Sequence, residues 1–405
     1  MIILFFISLL FFIFFLMAIK QKRILFAYLI GIYLLSFLST FFLNHYEPQT
    51  NIYLGPTIYF IFVLCLWLFP FKGIRPDNLE NIQYKKKKVQ ILIILIGLLS
   101  FFSLLFFLYY CYKLFTSFDL KIVRDMIHKE SFLPAGLFTA FLVIVSSLYF
   151  INLFLFFFSL REKFNWLYPF IMFVSSLSFP IMVLCYFGRD GVLYWGLNFI
   201  VLFFLFKKSL PKKNMRKIKK VGFIFLVSFC VLFVVITISR FGKDYQKTYI
   251  SLLSYSGQQM QNFSEAYKIK TSTYSLLPGC ERLMVTFGIF KDVNRDEVTL
   301  IKKAFAGSEY NVFGFFVKDF IWAVGRLWTI LLSLVIYIFI NIIDKKYKKK
   351  RRIEDFMILF TIFQIPMNGV FYYRQSVSYM DIGILLCFFI YFIFKICIIS
   401  KKNIV

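Results

Sequence analysis

Residues 89–112 read Val-Gln-Ile-Leu-Ile-Ile-Leu-Ile-Gly-Leu-Leu-Ser-Phe-Phe-Ser-Leu-Leu-Phe-Phe-Leu-Tyr-Tyr-Cys-Tyr, and they follow directly on Lys85-Lys86-Lys87-Lys88. No residue in the run is charged. At about 1.5 Å per residue, a helix of this length reaches about 36 Å, more than the roughly 30 Å hydrocarbon core of a bilayer. A helix satisfies its own backbone hydrogen bonds where no water is present, so the run reads as a membrane span. The lysine run marks one of its ends.

The same pattern recurs along the chain. Apolar runs at 2–19, 24–43, 52–71, 89–112, 134–160, 166–187, 191–206, 221–239, 319–343, 355–372 and 378–399 make about eleven candidate transmembrane helices, an all-α polytopic membrane fold. Only Gly188-Arg189-Asp190-Gly191 separates the sixth from the seventh, and the tenth contains Gln364, Pro366 and Asn368. The first run lacks a preceding basic stretch and a small-residue cleavage site, so it reads as a helix and not as a signal peptide. Composition agrees with this reading. Of 405 residues, 60% are hydrophobic, 22% aromatic with 59 Phe, and only 17% charged, at a mean hydropathy of +0.77. A soluble enzyme cannot cover its surface with so little polarity.

The net charge of +27, from 47 Lys and Arg against 20 Asp and Glu, would suggest nucleic acid in a soluble protein. Here its placement argues for topology. Lys20/Lys22/Arg23, Lys72 to Lys88, Arg161/Lys163, Lys207 to Lys220, Lys345 to Arg352 and Lys401/Lys402 all fall on one side of the eleven-span arrangement. The positive-inside rule makes that side cytoplasmic, with the N-terminus outside and the C-terminus inside. With Lys395, these clusters hold 29 of the 47 basic residues, so no nucleic-acid partner is needed to explain the charge. The seven cysteines lie scattered, six of them in or at the end of spans, and form no metal spacing or disulfide framework.

Three external segments are longer or more polar than turns. Residues 118–130 alternate apolar and charged positions at helical spacing and read as an amphipathic helix on the membrane surface. Residues 240–318 form a large external loop with 11 basic and 7 acidic residues and tyrosines spread along it, which divides the chain into 1–239, 240–318 and 319–405. The third is the turn 373–377. Arginine is enriched on this face. The cytoplasmic set has 6 Arg among 29 basic residues; the remaining 18 include 7, namely Arg124, Arg189, Arg240, Arg282, Arg295, Arg326 and Arg374. Arginine contacts phosphate in a bidentate manner and keeps its charge when partly buried. Arg189 sits between the sixth and seventh spans, Arg240 ends the eighth, Arg326 falls about two turns inside the ninth, and Arg374 lies between the last two. Such a set at the outer leaflet describes a site for a membrane-embedded anion, and a lipid pyrophosphate fits. Structural pairing with Asp190, Asp244, Asp319 and Asp381 is the alternative for each arginine taken singly.

Several absences narrow the chemistry. There are two histidines, His45 and His128, and no Walker loop, His-Glu-x-x-His motif, Asp-x-Asp pair or dense carboxylate cluster. No cofactor or metal is implied. A donor already activated by pyrophosphate asks only for cations on the departing phosphate and a base for an acceptor hydroxyl.

The order of these features resembles the Wzy-type O-antigen and capsule repeat-unit polymerases of bacterial inner membranes. The resemblance is carried by Gly188-Arg189-Asp190-Gly191 opening a span that ends in the basic loop Lys207 to Lys220, and by the following span that ends in Arg240. It continues with Leu253-Ser254-Tyr255-Ser256-Gly257, Asn262-Phe263-Ser264-Glu265-Ala266-Tyr267, Leu277-Pro278-Gly279, Tyr310-Asn311-Val312-Phe313 and Lys318-Asp319-Phe320. It covers about 100–320. It implies a metal-independent glycosyltransferase of the lipid-linked class that includes the O-antigen ligases. Such an enzyme moves the growing glycan from undecaprenyl pyrophosphate to the next lipid-linked repeat, with a partner protein setting chain length. Carried over to this chain, it implies Arg189 and Arg240 as pyrophosphate ligands. Arg374 joins them by topology, with Arg124, Arg282, Arg326, Tyr255, Tyr310 and Asn311 as candidate substrate contacts. Asp190, Glu281, Glu309 and His128 all remain open as the general base. A ligase, or a transporter of lipid-linked sugars, is the alternative function.

Overall fold

Backbone hydrogen bonds in lipid must be closed within the segment, and in the computed structural model no strand occurs among the described residues. Described are residues 2–46, 52–76, 82–117, 133–134, 136–186, 188, 190–220, 222–223, 227, 245–268, 314–346, 352–371 and 378–399. The helices in chain order are α1 (Ile2–Lys20), α2 (Ile24–Tyr46), α3 (Leu54–Leu68), α4 (Lys86–Ser117), α5 (Leu137–Ser146), α6 (Tyr149–Arg161), α7 (Leu167–Ser176) and α8 (Ser178–Leu184). They continue with α9 (Asp190–Phe206), α10 (Tyr245–Gly257), α11 (Gln259–Lys268), α12 (Phe315–Val324), α13 (Arg326–Lys346), α14 (Ile353–Asn368) and α15 (Ser378–Ile399).

Six of these stretches are long and apolar enough to cross a membrane: α1, α2, Leu54–Gly73, Lys86–Leu114, Leu167–Leu184 and Arg326–Lys345. The pair α5 and α6 makes a seventh if a bend of 43° is allowed within one span. Among the described residues six to seven spans therefore stand where eleven were expected over the whole chain. The runs at 191–206 and 355–372 form shorter helices, α9 and α14, of 17 and 16 residues. Most of 221–239, the expected surface helix 118–130 and residues 269–313 of the external loop lie outside the described residues.

Two of the expected spans are broken, each for a local reason. At the α5–α6 bend, Ser146 and Ser147 turn their hydroxyls back onto Val143 O (3.0 Å) and Ile144 O (2.6 Å). Serine back-bonding of this kind bends helices. The expected span 319–343 is divided at Gly325, whose φ of +85° is a conformation few side chains adopt. It ends α12, and α13 starts at Arg326.

The chain divides into two compact units, residues 1–75, 237–348 and 362–381 in the first, and 76–236, 349–361 and 382–405 in the second. The first is built on aromatic packing. Phe60 stacks on Phe315 at 4.2 Å, with Tyr33, Phe37 and Phe263 around them. Trp67 donates to Ser333 Oγ at 2.9 Å, a polar contact between helices where neither group has water. At one end of this unit Arg23 is near enough to Arg75 to feel its like charge, and Gly73 packs on Asp344, so three of the segments read as cytoplasmic approach one another there.

The second unit packs α4, α6, α7, α8 and α9. Tyr149 stacks on Phe179 at 4.3 Å, and Trp195 on Phe199 at 5.3 Å while donating to Ser176 Oγ at 2.9 Å. Its loops also gather at one end: Tyr84 donates to Glu162, Lys86 lies 6.0 Å from the Phe164 ring, and Gln83 bridges to Arg352. Burial, reinforced by the Glu162 carboxylate, pushes the Tyr84 hydroxyl well above its ordinary pKa.

At the other end of the first unit, α10 is seated on α2. Ser36 donates to Ser256 O at 2.9 Å and Thr40 to Gly257 O at 2.7 Å, so two hydroxyls of α2 satisfy last-turn carbonyls of α10. A Cβ on Gly257 would stand 2.7 Å from Ser39 O and 2.8 Å from its carbonyl carbon, backbone that cannot swing aside, whereas one on Gly55 meets nothing within 4 Å. Gly257→Ala is therefore expected to cost about 1–3 kcal/mol and to lower the melting temperature in detergent. Gly55→Ala should leave it unchanged, and equal behaviour of the two variants would contradict this seating.

Candidate functional site

The end of the first unit that carries α10 and α11 is where cations and aromatic rings collect. The α11 helix ends in Tyr267 and Lys268, and it packs beside α3 and α12 through Phe263 against Phe60 (5.1 Å) and Trp322 Nε1 donating to Ala266 O (3.4 Å). Tyr267 is thereby delivered to Arg326, the first residue of α13. The Arg326 guanidinium lies 4.0 Å over the Tyr267 ring and donates through Nη2 to Tyr267 O. Tyr59, on α3, donates to Arg326 O at 2.7 Å, and its ring lies 5.1 Å from that of Tyr267. Arg326 is exposed, and among the described residues its side chain makes only the one hydrogen bond, so further N–H donors face outward from a fixed plane. The neighbouring Lys268 Nζ sits 3.6 Å from the centre of the Tyr53 ring.

This placement corrects the sequence reading of Arg326. It is not two turns inside a span; the Gly325 break puts it at a helix start, where charge is solvated.

The charge inside this end belongs instead to Lys318, whose side chain is fully buried within α12. Its Nζ lies 3.7 Å from Asp319 Oδ1 and 5.0 Å from the Trp322 ring. Gly314 makes room for it: a Cβ there would meet Lys318 Cδ at 2.6 Å. The first turn of α12 is held by the segment after α14, with Gly314 and Phe315 N–H donating to Phe371 O (2.8 and 3.0 Å) and Phe316 N–H to Gly369 O (2.8 Å). Phe315 takes a positive φ of 60°, a strained conformation for a bulky residue, and it is held there by its stack on Phe60.

Of the other candidates, Tyr255 lies on α10, exposed on the same two-helix arm. Arg124, Arg189, Arg240, Arg282, Arg374, Tyr310 and Asn311 lie outside the described residues. The flanks of the Gly-Arg-Asp-Gly turn are described. Cβ atoms on Gly188 and Gly191 would stand 2.5 and 2.6 Å from Val183 carbons, so both glycines allow the turn to close onto α8. Tyr53, Tyr59 and Trp322 were not among the residues singled out, and Lys318 stood only within the Lys318-Asp319-Phe320 motif, with no role of its own. The spacing of Lys318 and Trp322, four apart on one helix face, was the available signal.

No protein-family model matches the chain, and neither a curated protein nor a solved structure matches it.

The buried cation generates a pair of expectations. Removing one partner of a buried ion pair strands the other charge and costs about 3 kcal/mol where the stranded group is buried; the Lys318 side chain is fully buried whereas that of Asp319 is 17% exposed and reaches solvent. Asp319→Asn should therefore lower the melting temperature more than Lys318→Met. The reverse order in a detergent melt would show that Asp319 does not compensate Lys318.

Proposed function

We propose that the chain is a polymerising glycosyltransferase of the bacterial cytoplasmic membrane, acting on oligosaccharide repeats carried by undecaprenyl pyrophosphate on the periplasmic face. In the proposed reaction the bond between the anomeric carbon of the growing glycan and the pyrophosphate oxygen breaks. A hydroxyl of the next lipid-linked repeat forms the new bond, its proton passes to a base, and undecaprenyl pyrophosphate leaves.

The observation that best supports the reading is the exposed cluster at the α11 end of the first unit. Arg326 on Tyr267 and Lys268 on Tyr53 present cations and ring faces side by side, on an end distinct from the one where that unit's basic loops gather. Ring faces pack against sugars, and cations stabilise charge as it develops on a departing phosphate. Arg189, Arg240 and Arg374 are assigned to the pyrophosphate. Arg124, Arg282, Arg326, Tyr255, Tyr310 and Asn311 are assigned to the oligosaccharide. In this topology the N-terminus is outside and the C-terminus inside. A ligase would use the same cations with a different acceptor. The transporter reading draws on the fully buried Lys318, a charge placed where a transport path would need one.

Deleting the gene should leave single repeats capped on the lipid core and abolish long chains on a glycan gel. Long chains that persist as unattached polymer would favour the ligase, and repeats retained in the cytoplasmic leaflet the transporter. Arg189→Lys and Arg240→Lys keep the charge but lose the bidentate fork. Each is expected to reduce chain growth at least about tenfold at unchanged protein level. Normal chain lengths in both would remove the pyrophosphate assignment.

A further inference from the structure

The turn between α6 and α7 and the segment after α9 enclose a cleft of about 470 Å³ in the second unit. Its wall is mostly apolar, with aromatic rings the largest part of it. Trp166 and Phe170 are 71% and 55% exposed and form its outer edge, and Phe164 closes its inner side. Among the described residues three polar ones border it, Lys163, Asn214 and Lys217, and no acidic residue lines it. Glu162, the acid nearest in sequence, is engaged by Arg161 at 3.3 Å and by the Tyr84 hydroxyl.

Lys163 has an unusual backbone. Its φ is +52°, in the left-handed region, and the turn is closed by Glu162 N–H on Phe158 O and Phe164 N–H on Ser159 O, both at 3.0 Å. This is the helix-ending motif in which the left-handed residue is usually glycine. A lysine here is strained, and its side chain borders the cleft.

We propose that this cleft binds an anionic glycerophospholipid of the surrounding bilayer, with one acyl chain along the aromatic wall and the phosphate held by Lys163 and Lys217 beside the Asn214 amide. The volume lies within the range of small-molecule pockets, room for a headgroup and part of one chain. Exposed Trp and Phe edges suit the boundary between headgroups and acyl chains. The two lysines with no opposing acid favour a net negative headgroup over a zwitterionic one. An inorganic anion would leave the aromatic wall unused. The proposal depends on the chain being a membrane protein and not on what reaction it performs.

The test uses the full chain purified in a non-ionic detergent and titrated with dioleoylphosphatidylglycerol or dioleoylphosphatidylcholine, with retained lipid counted by native mass spectrometry. One phosphatidylglycerol should be retained in preference to phosphatidylcholine. Lys163→Gly should weaken retention about fivefold, the effect of one positive charge at a membrane surface, and Lys163→Gly with Lys217→Gln about 25-fold. Glycine fits the left-handed turn, so the melting temperature of Lys163→Gly should not fall, and Lys163→Arg should restore binding. Equal retention of phosphatidylcholine, unchanged retention in the double variant, or displacement of the lipid by millimolar inorganic phosphate would each overturn the proposal.

Discussion

Two hydroxyl groups on a largely apolar helix hold the candidate site in place. The last carbonyls of α10 have no partner within their own helix, and at this end of the molecule Ser36 and Thr40 of α2 supply them. The contact fits because Gly257 brings the α10 backbone against that of α2. From that seat α11 continues, packs Phe263 onto Phe60, and carries Tyr267 and Lys268 to the start of α3 and α13. If this joint loosens, Arg326 loses the ring beneath it.

A second constraint converges on the same region. The first turn of α12 is fastened by backbone carbonyls of Gly369 and Phe371, three residues along the chain from Arg374. That turn holds a left-handed Phe315 and a buried Lys318 within four residues. Strain and a buried charge so close together are retained only where the surroundings over-determine them. Here those surroundings are the Phe60 stack, Asp319 and Trp322. The candidate site is thus built on rigid elements, with an exposed cation over an aromatic face outside and a compensated one inside.

Much of the helical architecture was legible because lipid imposes one rule on every residue. The runs at 2–19, 24–43 and 89–112 announce helices by length and absence of charge, and the structure puts helices there. Within each unit some of the basic loops meet: Arg75 acts electrostatically on Arg23 in the first, and Tyr84, Lys86 and Gln83 reach Glu162, Phe164 and Arg352 in the second. What hydropathy does not register is a break inside an apolar run. Gly325 and the Ser146-Ser147 pair are as apolar-compatible as their neighbours, yet a positive φ and back-bonded hydroxyls divide the helices there. Read as one span, 319–343 places Arg326 inside the bundle and leaves Lys318 in a loop, the inverse of what is found. The pairing of Arg326 with Tyr267 joins residues 59 apart, and no local pattern encodes it.

The functional claim is most directly tested by reconstitution. The purified chain in liposomes, supplied with one lipid-linked oligosaccharide repeat and neither nucleotide nor divalent metal, should convert it to a ladder of longer lipid-linked chains with release of undecaprenyl pyrophosphate, read by mass spectrometry. A substrate that keeps its single-repeat mass, whether it stays in its leaflet or crosses to the other, would contradict the account.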